Sequence, residues 1–552
     1  MLFNSYIFIF LFLPLCLIGF YILKNKQATL AKVWLTCFSL WFYGYFNFSY
    51  LLIMLCSILG NYGFHRILLS AKNTSYDNKE SRQEKSISKE DKGIRSNNQK
   101  RRFENNKIIL ITGVFLNVLV LFYFKYFDFF IENINVLFGS SFPLKYILLP
   151  LGISFFTFQQ ISFLVDTYRG ELEGVSFIDY ALFVSFFPQL IAGPIVVHEE
   201  MMPQFERIGG DNRSKEEKTE IITRGIYVFV LGLAKKVLIA DTFGVAVDLA
   251  YSNVSGLNGF ESLITILFYS LQLYFDFSGY CDMAKGIAGM FGMSIANNFN
   301  SPYKAVNIVD FWKRWHITLS RFFTKNIYIP LGGNRKGETR MYVNYLIVFF
   351  LSGLWHGAGW NFILWGMMHG VLYVVTKWWL NKKNKTRVIK RKHDTFENMD
   401  ATRTQNVSWN HSMHKNSKKI ITAFGCLFTF IYVSIAWVYF RATSVAQANT
   451  LLTNIVTVPW ALPGNGFTDA FNLGEFWYVL KIVKLANLPL AKYYIMIVFT
   501  VISLIVTFFG RNIDELAKRW KPTIINAVIT ALLFLWCVVS LSGVSTFLYF
   551  NF

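Results

Sequence analysis

Two histidines, His316 and His356, offer the chemistry in this sequence, and they stand forty residues apart (356 − 316). His356 lies in SGLWHGAGWNFILWGMMHG, which begins at Ser352, inside a stretch from 341 to 379 that is largely apolar, aromatic or glycine. His316 lies in FWKRWHITLSRFFTKNIYIPLGGNR, which begins at Phe311. Ionisable groups at membrane depth are costly, and where they persist they face a protein interior or a water-filled cavity with work to do. An imidazole, with an unperturbed pKa of about 6.5, can take up and return a proton near neutral pH. Two imidazoles meeting in a buried cavity point to acid–base chemistry, a metal site or a proton path.

The flanks of His356 are small: Gly353, Gly357, Ala358 and Gly359. Small residues permit irregular turns, which lipid tolerates only where protein or a cavity covers them. The bland alternative is a core histidine that donates to a carbonyl. His316 has Lys313, Arg314, Arg321 and Lys325 nearby, and its alternative is an interfacial histidine among snorkelling cations. His369 is read as a helix-packing residue. Zinc requires three or four ligands close together. No H-x-x-x-H or H-E-x-x-H occurs, so no metal site is expected. QLYFDFSGYCDMAKGIAGMFG, from Gln272, puts Asp276 and Asp282 in an apolar segment, with Lys285 one helical turn after Asp282 as its expected partner. G-x-S-x-G, Walker and dinucleotide-binding signatures are missing from the sequence, which argues against a soluble hydrolase or a nucleotide-driven pump.

The elements that must position these residues are membrane helices. The chain has 552 residues, 54% apolar, 18% aromatic and 16% charged, with a mean hydropathy of +0.37. Apolar runs recur at 11–23, 108–127, 146–164, 225–240, 262–275, 420–439, 493–509 and 524–541. A bilayer core of roughly 30 Å needs about 20 helical residues, so the reading is an all-α polytopic membrane protein of ten to twelve spans or half-spans. The first run lacks a preceding Lys or Arg and is followed by Lys24, Lys26 and Lys32. That places the N-terminus outside by the positive-inside rule and argues against a cleaved signal. Residues 34–69 read as a hairpin turning near 44–49, and 341–379 as a second hairpin turning near 357–359. Of the net charge of +21, the stretch 72–107 supplies +5 and 377–419 supplies +9. Both are read as disordered cytoplasmic loops, which explains the basic balance without nucleic acid. Residues 313–340 read as interfacial or re-entrant helices. The loop 442–490 and the C-terminus fall outside. Six cysteines in apolar segments, without CxxC spacing, read as buried reduced thiols. Residues 1–552 form one integral unit.

At the two histidine tracts the chain resembles the membrane-bound O-acyltransferase (MBOAT) family, in particular its bacterial alginate O-acetyltransferase branch. FFPQLIAGPI from Phe186, QLYFDFSGYCDMA from Gln272, AWVYFRA from Ala436 and the terminal FLYFNF from Phe547 extend the likeness. The resemblance implies a fold of about eleven transmembrane helices, with re-entrant and interfacial helices around a central funnel, in a bacterial inner membrane. It implies a cytoplasmic acyl donor, acetyl-CoA or an acyl carrier, with no tightly bound cofactor. His356 matches the family's essential histidine and is assigned as general base, with His316 orienting or polarising and Asp310, Lys313 and Arg314 as helpers. Trp315, Trp355 and Asn361 share these tracts and complete the expected substrate and donor contacts. Arg314, Arg321, Lys325 and Arg335 are candidates for donor phosphates, though positive-inside placement explains them equally.

FLYFNF fits a terminal pattern that the resemblance associates with acyl export, and it makes Tyr549 a candidate acyl carrier. The alternative is a terminal aromatic belt at the membrane surface. An extracytoplasmic SGNH-type partner is expected to complete transfer to alginate-like exopolysaccharide, cellulose or peptidoglycan. Two other functions remain open here: the related teichoic-acid D-alanyl transferase, and a transporter or channel, for which no repeat symmetry is visible.

Overall fold

The computed structural model describes all residues except 81–105, 173, 211–212, 398–407, 473, 475–480, 483–489, 544–546 and 549–552. Among the described residues the regular structure is entirely helical. Four helices are long and apolar enough to cross a membrane, at Phe48–Ser70, Asn106–Phe138, Lys419–Arg441 and Ala491–Phe509. Two shorter apolar helices, Phe8–Lys24 and Ile524–Val539, accompany them. Their outward faces carry Ile108, Phe115, Phe428 and Ile502, all more than half exposed, which suits a lipid-facing surface.

The N-terminal helices α1 (Leu13–Lys24), α2 (Ala28–Gly44) and α3 (Phe48–Glu80) include the expected hairpin, which turns at 45–47. α4 (Asn106–Phe138) is interrupted by a π-helical turn at Phe122–Tyr126. α5 (Ile153–Arg169) is followed by a short helix α6 (His198–Glu206). α7 (Lys215–Ala234) and α8 (Gly259–Met290) form the central crossing, and both start on capping boxes, Ser214 with Glu217 and Asn258 with Glu261. Glycines seven apart on each helix let the backbones touch: a Cβ on Gly225 would lie 2.8 Å from the Gly286 carbonyl, and one on Gly232 2.7 Å from that of Gly279. Close approach through small residues replaces the hydrophobic drive that lipid removes.

α8 is buried on nearly every side, as expected of a helix apolar all round. Its buried carboxylates are held by another π-helical turn, Lys235–Ala240, that follows α7. Lys235 binds Asp282 at 2.6 Å, and Lys236 binds both Asp276 at 2.6 Å and Asp241 at 2.7 Å. Asp282 therefore does not take Lys285 as its partner; Lys285 instead reaches Asp514 and Asn297 across helices.

Two short helices, α9 (Ile308–Trp312) and α10 (Ile317–Phe323), carry the first histidine tract. α11 (Glu338–His356) and α12 (Trp360–Glu397) form the second hairpin, turning at 357–359 as expected. Gly353 packs against the Phe362 carbonyl, where a Cβ would lie at 2.5 Å, and a Cβ on Gly357 would run into the Phe362 ring. α13 (Ser408–Arg441) packs beside α12. Helix α3 continues to Glu80, α12 to Glu397, and α13 begins at Ser408. The reading of 72–107 and 377–419 as disordered loops is corrected for those helical portions; 81–105 and 398–407 lie outside the described residues. Cys37 and Cys56 are exposed rather than buried, and all six thiols are free.

Candidate functional site

His356 is the last residue of α11 and is 3% exposed. Its Nδ1 lies 2.6 Å from the Ser352 carbonyl, one turn back. A carbonyl can only accept, so Nδ1 carries the proton and Nε2 keeps the basic lone pair. This is the bond that the core-histidine alternative anticipated, and it also fixes the tautomer that a base requires.

His316 occupies the residue just before α10 in a left-handed conformation, φ 45° and ψ 53°. That conformation is uncommon outside glycine and, where observed, often marks a functional site. The ring is fully buried, which removes the interfacial reading. Its Nδ1 lies 3.1 Å from Asn298 Oδ1, which also accepts from the Thr318 hydroxyl at 2.9 Å and its backbone N–H at 3.2 Å. Asn298 is a hub that sequence reasoning missed, since nothing in its spacing sets it apart from Asn297 and Asn300 beside it.

The two imidazoles meet edge to face at 79°, with centroids 6.4 Å apart. Trp355 and Trp365 each stand 4.8 Å from His356, Phe440 at 5.3 Å, and Phe277 4.9 Å from His316. Trp355 also joins Phe155, Leu319, Phe322 and Phe323 in a small apolar cluster over the pair. Two cavities flank this cage. One, of about 30 Å³, is lined by His356, Trp355, Lys125, Ser154 and Ile191. The other, of about 490 Å³, runs past Ser352, Phe349 and Trp312 to Lys313, Arg321 and Lys325.

The remaining expected site residues divide. Trp355 and Lys313 line these cavities. Trp315 is 1% exposed and packs between Phe311 and Trp437 in the aromatic core. Asn361 donates to the Ala442 carbonyl at 2.8 Å and the Tyr439 carbonyl at 3.2 Å, tying α12 to the end of α13. Asp310 and Arg314 pair with each other at 2.9 Å. Their partners give Trp315, Asn361, Asp310 and Arg314 a scaffolding geometry. His369 accepts from the Trp312 indole N–H at 3.3 Å, in keeping with packing.

Three of the four cations read as phosphate holders, Arg314, Arg321 and Lys325, face carboxylates. Arg321 forks onto Glu200. Lys325 meets Asp166 and Glu199 at 3.1 Å and Glu171 at 3.3 Å. Burial alone would lower the Lys325 pKa, but the hydrogen bonds it donates to Glu199 and Asp166 hold it above the usual lysine range. Asp166, His198 and Glu199 are close enough together for a metal ion. The Lys325 ammonium already compensates both carboxylates, so this donor set reads as an ionic knot.

Tyr549 lies outside the described residues. The segment before it turns into the protein: Phe547 and Leu548 are 1% and 7% exposed. Leu548 N–H donates to Asp276 Oδ2 at 3.1 Å, and the Phe547 ring packs 4.5 Å from Tyr280, with Lys236 Nζ 4.7 Å above it. These are core contacts, where a membrane-surface belt would face outward.

The profile of the MBOAT, membrane-bound O-acyltransferase family matches residues 114–394. A peptidoglycan O-acetyltransferase of Helicobacter pylori is 37% identical, covering 100% of this chain and 98% of that protein. A probable alginate O-acetylase of Pseudomonas putida is 33% identical over 81% of this chain and 79% of its own length. A teichoic acid D-alanyltransferase of Bacillus subtilis is 29% identical over 43% of this chain and 61% of its own length.

Proposed function

The chain belongs to the membrane-bound O-acyltransferase family, and from that premise we propose that it moves an acetyl group from a cytoplasmic donor across the membrane for O-acetylation of peptidoglycan. It is a polytopic O-acetyltransferase. Peptidoglycan is favoured over other glycans because the likeness to the peptidoglycan enzyme runs the full length of both chains, whereas that to the alginate enzyme covers 79% of the relative. The observation that carries the reading is the edge-to-face histidine pair, each imidazole with its Nδ1 directed at an oxygen acceptor.

In this reading a hydroxyl enters beside His356. Its oxygen bonds to the carbonyl carbon of the donor thioester while its proton passes to His356 Nε2. The tetrahedral intermediate collapses, the C–S bond breaks, and the leaving thiolate takes the proton back from the imidazolium. His316, held by Asn298, orients and polarises. The larger cavity, with Lys313 at its mouth, receives the donor, which is acetyl-CoA or an acyl carrier acting as substrate.

The accepting hydroxyl is the phenol of Tyr549, at the end of a tail drawn inward at Phe547 and Leu548. A phenol, with pKa about 10, leaves more readily than a sugar alkoxide, so its ester can be passed on. An extracytoplasmic SGNH-type partner then transfers the acetyl to glycan. About eleven transmembrane helices with re-entrant elements form the funnel, and both termini face outward. Mass spectrometry of the C-terminal peptide tests the relay: acetyl on Tyr549 in the wild type, lost in His356→Ala. A Tyr549→Phe variant that still supports full cell-wall O-acetylation would refute the tyrosine step.

A further inference from the structure

We propose that Lys125 is a catalytic residue of this transfer, its ammonium stabilising the oxyanion formed beside His356; the inference rests on the acyl-transfer reading above. Lys125 lies in the middle of the π-helical turn Phe122–Tyr126 of α4. Such turns are rare, cost hydrogen-bond regularity and recur at functional sites. Here the turn directs Lys125 at the C-terminal end of α11. Lys125 Nζ donates to the Trp355 carbonyl at 2.5 Å, with longer contacts to the His356 carbonyl at 3.4 Å and Ser154 Oγ at 3.5 Å.

Among the described residues no carboxylate pairs with Lys125, whereas Lys235, Lys236, Lys285 and Lys325 all have one. A cation compensated only by neutral oxygens and by the Trp355 ring 5.9 Å away is expensive in a water-poor site. Capping the negative end of α11 recovers part of that cost. A negative charge arriving during the reaction would recover far more.

The space for that charge is present. Lys125 and His356 line the same cavity of about 30 Å³, enough to admit a water-sized or oxygen-sized group. When the hydroxyl oxygen attacks the thioester carbon, the carbonyl electron pair moves onto oxygen as the proton moves to His356. Lys125 exchanges its two longer contacts for this oxyanion and keeps its short bond to the Trp355 carbonyl. Collapse re-forms the carbonyl, expels the thiolate and returns Lys125 to its resting partners.

The test compares Lys125→Met, Lys125→Arg and His356→Ala in membrane vesicles supplied with labelled acetyl-CoA, alongside thermal unfolding of the solubilised proteins. Loss of one oxyanion donor predicts a fall of ~10²–10³ in kcat for Lys125→Met, with KM and melting temperature close to wild type. Lys125→Arg, which keeps the charge, should recover most of the rate. A Lys125→Met protein that is fully active overturns the proposal. So does one that unfolds while Lys125→Arg is fully active, because that assigns Lys125 to helix capping alone. The third variant separates the two readings: activity independent of His356 strikes the acyl-transfer mechanism itself, while dependence on His356 with indifference to Lys125 strikes only this inference.

Discussion

Each site histidine commits Nδ1 to one oxygen, and the quality of that acceptor decides how well Nε2 is aimed. His356 uses a backbone carbonyl in its own helix, so no side-chain substitution removes that acceptor. His316 relies on the side chain of Asn298, which also holds Thr318. Asn298→Ala should therefore cost about 1–3 kcal/mol of stability, the range for stranding buried polar partners, and lower kcat more than KM. Asn298→Asp keeps the acceptor and should retain more activity. Thermal melts and vesicle kinetics on the pair check this. At this scale the histidines were legible, since an imidazole in an apolar stretch stands out by type. Asn298 and Ser352 were not, because an amide in a polar turn and a backbone carbonyl have no sequence signature; Lys125, an ionisable residue in the apolar run 108–127, carried the same signal as the histidines. Trp315 and Asn361 share the histidine tracts, and the contacts seen for them hold helices together.

Helices meet here through glycine contacts and buried ion pairs, and each makes a different prediction. At the α7–α8 crossing Gly286→Val would drive a side chain into the backbone at Gly225 and Phe229. Overpacking of this kind costs about 1–3 kcal/mol or more, read as a lowered melting temperature. Breaking the Lys236–Asp276 pair with Lys236→Met strands a buried carboxylate, at a cost of about 3–5 kcal/mol. The double variant Lys236→Met/Asp276→Leu should be markedly more stable than the single one, and a double-variant cycle of melts measures the difference. The hairpins at 45–47 and 357–359 were legible from glycine and small-residue clusters between apolar runs. The pairing of Asp282 was not: i,i+3 spacing offered Lys285, but the charges are satisfied between helices, and sequence separation hides such partners.

At the scale of the whole molecule, polytopic character was legible from apolar runs, while the division of labour among them was not. Among the described residues four helices have both the length and the composition to span a bilayer; α8, of 32 residues, is enclosed by protein and serves as the central post. The tail is the whole-molecule device, since Phe547 and Leu548 return across the chain to Asp276 and Lys236 on α8 and its neighbour. Tyr549→Phe should keep the wild-type melting temperature and abolish export of acetyl to the wall, checked by base-released acetate. On the proposed relay, deleting the gene of an SGNH-type partner should give the same loss while leaving acetyl bound to the tail. The most direct measurement is the single-turnover rate of labelled acetyl transfer in vesicles bearing wild type or His356→Ala. Removal of the proposed general base predicts a fall of ~10²–10⁴ in a protein with an unchanged melting temperature; a rate within about threefold of wild type, far short of that loss, would contradict the account.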